Sequence, residues 1–226
     1  NDFTVKGAST SYTNGKKIGH MKRTATERGM PLVLLGESTG ARLPDAMGSR
    51  GMGMLLGNDN TQFRRTRETP MVAAAFGPSF GSSTWMMCLS DFAVMQKGAT
   101  VAVSSPRLVS MALGQKVDSE ELGGWRMHAE ITGLVDQVVD KEEEVFEAIR
   151  KFLSYMPSHH KEAPPDAPIP AGSGAEMDKV FGILPESRTQ VYDMKRVIKC
   201  MVDKDTMFEL KPRFGNSAVT TLARLG

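Results

Sequence analysis

The sequence has 226 residues, 40% hydrophobic, 24% charged and 7% aromatic, with a formal net charge of +2, the composition of one ordinary globular domain with some remainder. It holds no run near the roughly 20 apolar residues a membrane helix needs, no block of one charge that would keep the chain unfolded, and no basic excess marking a nucleic-acid surface. Cys88 and Cys200 stand alone, so neither a thiolate metal pair nor a disulfide framework can be read, and a reducing, cytoplasmic setting is expected.

In chain order, Phe3-Thr4-Val5 reads as a strand, directly after a start without methionine or leader pattern. Residues 15–28 carry Ile18, Met21 and Ala25 at helical spacing among basic residues, which predicts a helix ending at Gly29. Leu32-Val33-Leu34-Leu35 is a continuous apolar run, as expected of a strand covered on both faces, and a turn rich in small residues follows over 36–41. The unit then repeats, with a helix at 61–68, a strand at 71–76 and a second small-residue turn at 77–83. Further strands are predicted at 92–95, 100–103 and 134–139, and a helix at 106–113.

A helix over 141–156 has Val145, Ile149, Phe152, Leu153 and Met156 on one face and three glutamates in its first turn, where the helix dipole favours them. Composition shifts to Pro, Gly, Ser and His over 157–185, with Ala163-Pro164-Pro165-Asp166-Ala167-Pro168-Ile169-Pro170 at the centre, the pattern of a semi-rigid linker. A helix at 191–202 and two strand candidates follow. The β-branched run at 218–225 has nothing after it to pair with, so the sequence reads as an excerpt that stops inside a second domain.

Gly36-Glu37-Ser38-Thr39-Gly40 follows a strand and matches G-x-S-x-G, which points to Ser38 as a hydrolase nucleophile. Gly77-Pro78-Ser79-Phe80-Gly81 matches equally well, however, and one triad cannot use both serines. Pro44 also hinders the helix such an elbow launches, and no HGGG-type oxyanion segment is present. A triad needs a histidine. His20 lies on the basic helix, His159 and His160 flank the linker, and His128 follows Gly123-Gly124-Trp125, a setting for a structural hydrogen bond. Asp118, Glu120 and Glu121 read as a helix cap and first turn. Gly48, Gly51, Gly53 and Gly57 miss the phosphate-loop spacing, so close helix packing accounts for them, and the 16 methionines read as core filler.

Two strand-to-helix turns of small residues, without a convincing acid, base, nucleophile or metal set, suit chemistry performed by backbone N–H groups. Amides at a helix N-terminus hold a developing oxyanion, and glycine lets a thioester oxygen approach closely.

These residues resemble the carboxyltransferase component (beta-type) of biotin-dependent acyl-CoA carboxylases, the acetyl-, propionyl- and methylcrotonyl-CoA carboxylase family, and the related decarboxylases. Glu37-Ser38-Thr39-Gly40-Ala41-Arg42 is similar to the family's D-S-G-G-A-R turn. Gly77-Pro78-Ser79-Phe80-Gly81-Ser82, with Ser90-Asp91-Phe92 downstream, resembles its G-P-x-x-G-G turn. Glu120-Glu121-Leu122-Gly123-Gly124 with His128, Leu153-Ser154-Tyr155-Met156-Pro157-Ser158, and Tyr192-Asp193-Met194-Lys195-Arg196-Val197-Ile198 match further segments in order.

The resemblance implies an α/β fold, a crotonase-like ββα superhelix over residues 1–156, with a linker over 157–185 and the start of a second crotonase-like domain over 186–226. It implies transfer of a carboxyl group from carboxybiotin to the α-carbon of an acyl-CoA through an enolate, with no metal. Biotin supplies the base and the protein orients and stabilises. Carried onto this sequence, Gly81 and Ser82 are the amide donors of the second turn, Gly40 and Ala41 line the first, and Thr39, Ser79 and Phe80 contact substrate. Ser82 and Thr39 stand where the family usually has glycine, or in the second case also alanine, which bears on the acyl pocket. Implied partners are a biotin carboxyl carrier protein, a biotin carboxylase subunit and further copies of the chain, as a dimer or hexamer, in the cytoplasm or a mitochondrial matrix. Competing readings are a biotin-dependent decarboxylase, a biotin-independent crotonase-type hydratase or hydrolase, a serine hydrolase using Ser38, and a scaffold subunit without turnover.

Overall fold

The computed structural model describes residues 2–55 and 68–226. The helix predicted at 61–68 therefore lies almost wholly outside the described residues, as does Gly57. Strands β1 (Leu32–Ser38), β2 (Met71–Phe80), β3 (Phe92–Gln96), β4 (Thr100–Ala102) and β5 (Gln137–Val139) form one parallel sheet in the order β1-β2-β3-β5, with β4 pairing the far half of β2. Because β2 is ten residues long, its first half pairs β3 at Val72 to Ala75 and its second half pairs β4 at Pro78 to Phe80. The chain passes from β3 to β4 through Gly98 at φ 88°.

The strands are short apolar runs, and alternation sorts their side chains onto two faces. On one face Val72, Ala74, Phe92 and Val94 meet Val145, Ala148, Ile149 and Phe152 of helix α7 (Glu142–Leu153), with Phe92 stacked on Phe152 at 4.7 Å between ring centroids. On the other, Ala73, Ala75, Ala93 and Met95 pack with Ala99, Val101, Val135 and Met87 of helix α4 (Ser82–Leu89). Alanines at 73–75 let elements approach both faces closely.

Helix α1 (Tyr12–Glu27) starts three residues before the predicted limit because Ser11 and Asn14 form a reciprocal capping box. Phe3-Thr4-Val5 is not a strand; it leads into a 3₁₀ turn at Lys6–Ala8. Helices α2 (Leu43–Ala46) and α3 (Gly48–Leu55) follow β1, so Gly48, Gly51 and Gly53 lie in a helix and not in a phosphate loop. Pro44, read as hindering a helix, instead sits in the first turn of α2, where a missing N–H is harmless. Helix α5 (Pro106–Leu113) is capped by Ser105, and α6 (Ser119–Gly123) by Asp118, as expected.

The stretch 157–185 is largely irregular but includes a 3₁₀ turn at Met177–Lys179 and the short helix α8 (Val180–Ile183). Helix α9 (Met194–Met201) begins later than predicted because Asp193 accepts the Lys195 amide at 2.9 Å, while Val191 stays exposed. The terminal β-branched run finds its partner within the chain, since β7 (Thr220–Leu222) pairs antiparallel with β6 (Phe208–Leu210). Phe208 packs against Phe92 and Tyr155, and Tyr155 Oη donates to the Thr206 carbonyl. Among the described residues no helix is long and apolar enough to cross a membrane.

Candidate active site

β1 and β2 run parallel, so their C-terminal ends reach the same sheet edge. Their register steps from Gly36 opposite Ala75 to Ser38 opposite Ser79, two residues along β1 against four along β2. At that bulge Ser79 Oγ donates to the Gly36 carbonyl at 3.0 Å, tying the two strands where their register slips. A Cβ at Gly77 would meet the Glu37 carboxylate, so a larger residue there would have to move that side chain. The predicted turns at 36–41 and 77–83 are consequently shorter than expected, because strand structure continues to Ser38 and Phe80.

At Gly81 the chain passes from β2 to α4 within one residue, at φ 71° and ψ −121°, a region that L side chains avoid. The Gly81 amide donates to the Ala102 carbonyl at 3.3 Å. Thr84 Oγ1 donates to the carbonyls of Ser79 (2.9 Å) and Ala102 (2.8 Å), and Ser83 Oγ to that of Phe80 (3.1 Å), which fixes the first turn of α4 against β2 and β4. No side chain caps this N-terminus, and the Ser82 amide has no partner among the described residues. It lies at the positive end of the helix dipole.

The first turn is spent differently. Ser38 is 1% exposed, and its Oγ accepts the Gly40 amide at 3.1 Å. Thr39 donates to the Gly7 carbonyl through both its amide (3.0 Å) and its Oγ1 (2.9 Å). Thr10 accepts the Arg42 amide and donates to the Gly40 carbonyl, each at 2.8 Å. The exposed Ala41 is left with an amide that has no partner among the described residues. The two turns touch: a Cβ placed on Gly81 would lie 3.8 Å from Gly40 Cα.

The seven residues singled out from the sequence are thus gathered at one edge with different duties. Ser82 and Ala41 offer open amides, while Gly81 and Gly40 provide the backbone geometry and have committed theirs. Ser79 and Phe80 are buried beneath the turn, and Thr39 is exposed above it. Ala102 was not foreseen. It is the acceptor that fixes both Gly81 and Thr84, and no side-chain signal marks a residue that acts through its carbonyl.

Among the described residues no histidine hydrogen-bonds Ser38, whose Oγ is engaged by the Gly40 amide. His128 directs Nε2 at the Val101 carbonyl (2.7 Å) and Nδ1 at Thr132 Oγ1 (3.2 Å), His159 pairs with Glu162 (3.1 Å), and His160 meets the Glu68 carbonyl (3.2 Å). Among the described residues no three His, Cys, Asp or Glu side chains cluster as metal ligands. Beside α4, burial pulls Lys22 down to about 8, with its Nζ 2.7 Å from Met86 Sδ. Burial also pushes the Cys88 thiol up.

Two open amides on adjoining turns, at the carboxyl edge of a parallel sheet, form an arrangement that can hold negative charge on an oxygen through the backbone. The chain belongs to the carboxyl transferase domain family, whose model matches residues 1–226. It is 33% identical over its whole length to an uncharacterized carboxylase, YngE, of Bacillus subtilis, covering 44% of that protein. It is 28% identical over 99% of its length to the methylmalonyl-CoA decarboxylase subunit alpha of Veillonella parvula, again covering 44% of the relative. The solved structure of transcarboxylase 12S, a hexamer with methylmalonyl-CoA and methylmalonic acid bound, superimposes with a TM-score of 0.86 at 26% identity, over 100% of this chain and 43% of that one. The fold is therefore the crotonase-like α/β fold of the family. The chain spans less than half the length of these relatives.

Proposed function

We propose that this chain is the acyl-CoA-binding half of a biotin-dependent carboxyltransferase. The open Ser82 amide at the uncapped N-terminus of α4 carries the reading, and the open Ala41 amide on the touching turn supports it. The two N–H groups receive the thioester oxygen and hold its charge as the α-proton leaves. Gly81 sets the direction of the Ser82 amide. Carboxybiotin, when bound, supplies the carboxyl group and the base, so the chain's own residues need only bind, orient and polarise. Residues 1–156 form the working domain, 157–185 the linker, and 186–226 open a second domain that completes the site from another copy in a dimer or hexamer. A biotin carboxyl carrier protein and a biotin carboxylase subunit are the further partners. Two free cysteines, one exposed, suit the cytoplasm or a mitochondrial matrix.

The same geometry serves carboxylation and decarboxylation, because both pass through the same enolate. The test offers malonyl-CoA and methylmalonyl-CoA to the full-length protein, with and without free biotin, and follows decarboxylation. Turnover that requires biotin is expected. Turnover that ignores biotin would replace this reading with a crotonase-type hydratase or hydrolase, and binding without turnover would replace it with a scaffold.

A further inference from the structure

Along the flank of α4 lies an apolar cavity of about 540 Å³, walled by Thr84, Cys88, Val101, Val103, Val109 and Leu134. It borders the second turn through Thr84 and Ala102. Thr84 and Cys88 lie two and six residues beyond Ser82, on successive turns of one helix face. Ala102, which accepts the Gly81 amide, lines it as well. The polar groups in its wall are largely turned away: Thr84 Oγ1 is committed to two carbonyls, and both ring nitrogens of His128 are engaged. The raised Cys88 thiol reports the same apolar surroundings.

We propose that this cavity receives the acyl chain of the thioester whose oxygen sits at the Ser82 amide, and that the protein accepts acyl groups well beyond three carbons. The inference rests on the reading of the site as an acyl-CoA site. At ~30 Å³ per heavy atom, the share of one water, the four heavy atoms of a propionyl group fill about a fifth of the space. Pockets of this size hold far larger ligands. A chain that passes Ala102 from the second turn runs along the Thr84–Cys88 face, with Cys88 on its wall one turn beyond Thr84.

The test titrates the full-length protein with free CoA and with propionyl-, hexanoyl- and octanoyl-CoA by calorimetry. Affinity should rise roughly three- to four-fold per added methylene, the transfer free energy of a buried CH₂. Cys88→Phe should flatten that gradient while leaving the propionyl-CoA Kd within about two-fold. On the unaltered protein, octanoyl-CoA should slow alkylation of Cys88 by N-ethylmaleimide, read by peptide mass mapping, whereas free CoA should not. If the esters bind without a gradient, or with one that Cys88→Phe and the alkylation rate ignore, the cavity is not the acyl site, and the carboxyltransferase reading stands. If no CoA ester binds, both fall.

Discussion

Replacing Ser82 by proline removes one atom group, the N–H proposed to receive the thioester oxygen. The fold should tolerate it. Ser82 is the first residue of α4, where proline is well accommodated, its amide has no partner among the described residues, and Gly81 before it has no Cβ to clash with the ring. Loss of one oxyanion donor typically costs ~3 kcal/mol of transition-state stabilisation, so kcat should drop about 150-fold, with little change in melting temperature. Ser82→Ala keeps the amide and should stay within about three-fold of the parent, since the lost hydroxyl carries no part of the proposed chemistry. The assay is biotin-dependent decarboxylation of malonyl- or methylmalonyl-CoA by the full-length protein, alongside thermal unfolding. Ser38→Ala is the companion: it leaves the Gly40 amide without its acceptor, so it should cost stability, on the order of 1–3 kcal/mol, while retaining most activity. Equal losses of activity in Ser82→Pro and Ser38→Ala, or in Ser82→Pro and Ser82→Ala, would refute the backbone-amide mechanism.

Lys22→Met should stabilise the chain. Burial lowers Lys22 from 10.5 to about 8, so between those values the unfolded chain binds a proton that the folded one lacks, and stability rises with pH across that window. Below about pH 8 the full penalty applies, up to roughly 3 kcal/mol. Denaturant unfolding at pH 7 and pH 10 should show the gain shrinking at the higher pH, and a constant gain would assign it to packing alone. Asp136 accepts the buried Ala93 amide at 2.7 Å and pairs with Lys211 at 3.0 Å, tying the residues before β5 to those after β6. Asp136→Ala should destabilise by about 2–4 kcal/mol, and Lys211→Met by less, because Lys211 is partly exposed. A loss below about 1 kcal/mol for Asp136→Ala would show that this tie contributes little.

Burial on both faces leaves uninterrupted apolar runs in β2 and β3, whereas β1, expected to be covered on both faces, is an edge strand that leaves Val33 and Leu35 exposed. Leu32 to Leu35, Val72 to Ala75 and Phe92 to Met95 sit in the parallel sheet as predicted, although β1 continues to Ser38 and β2 to Phe80, beyond their predicted ends at 35 and 76. Helix α7 was legible through its apolar stripe and its glutamates, and α6 through the Asp118 cap. Capping misled at α1 and α9, where Ser11 and Asp193, and not the apolar spacing, set the first residue. The bulge in β2 was invisible because it is a mismatch between two strands some forty residues apart.

The sequence by itself determined the α/β class, the repeated strand-turn-helix unit and the placing of small residues at two turns, because burial and backbone freedom act within a few residues of the chain. Tertiary structure alone decided which amides remain open. The Gly81 amide is taken by Ala102, Thr39 by Gly7 and the Gly40 carbonyl by Thr10, partners 21 to 32 residues away that no local pattern links to the turns. It likewise decided that Ser38, whose motif resembles a nucleophile's, is a buried acceptor. A hydroxyl's role depends on what the fold places against it, and here the fold places its own backbone there.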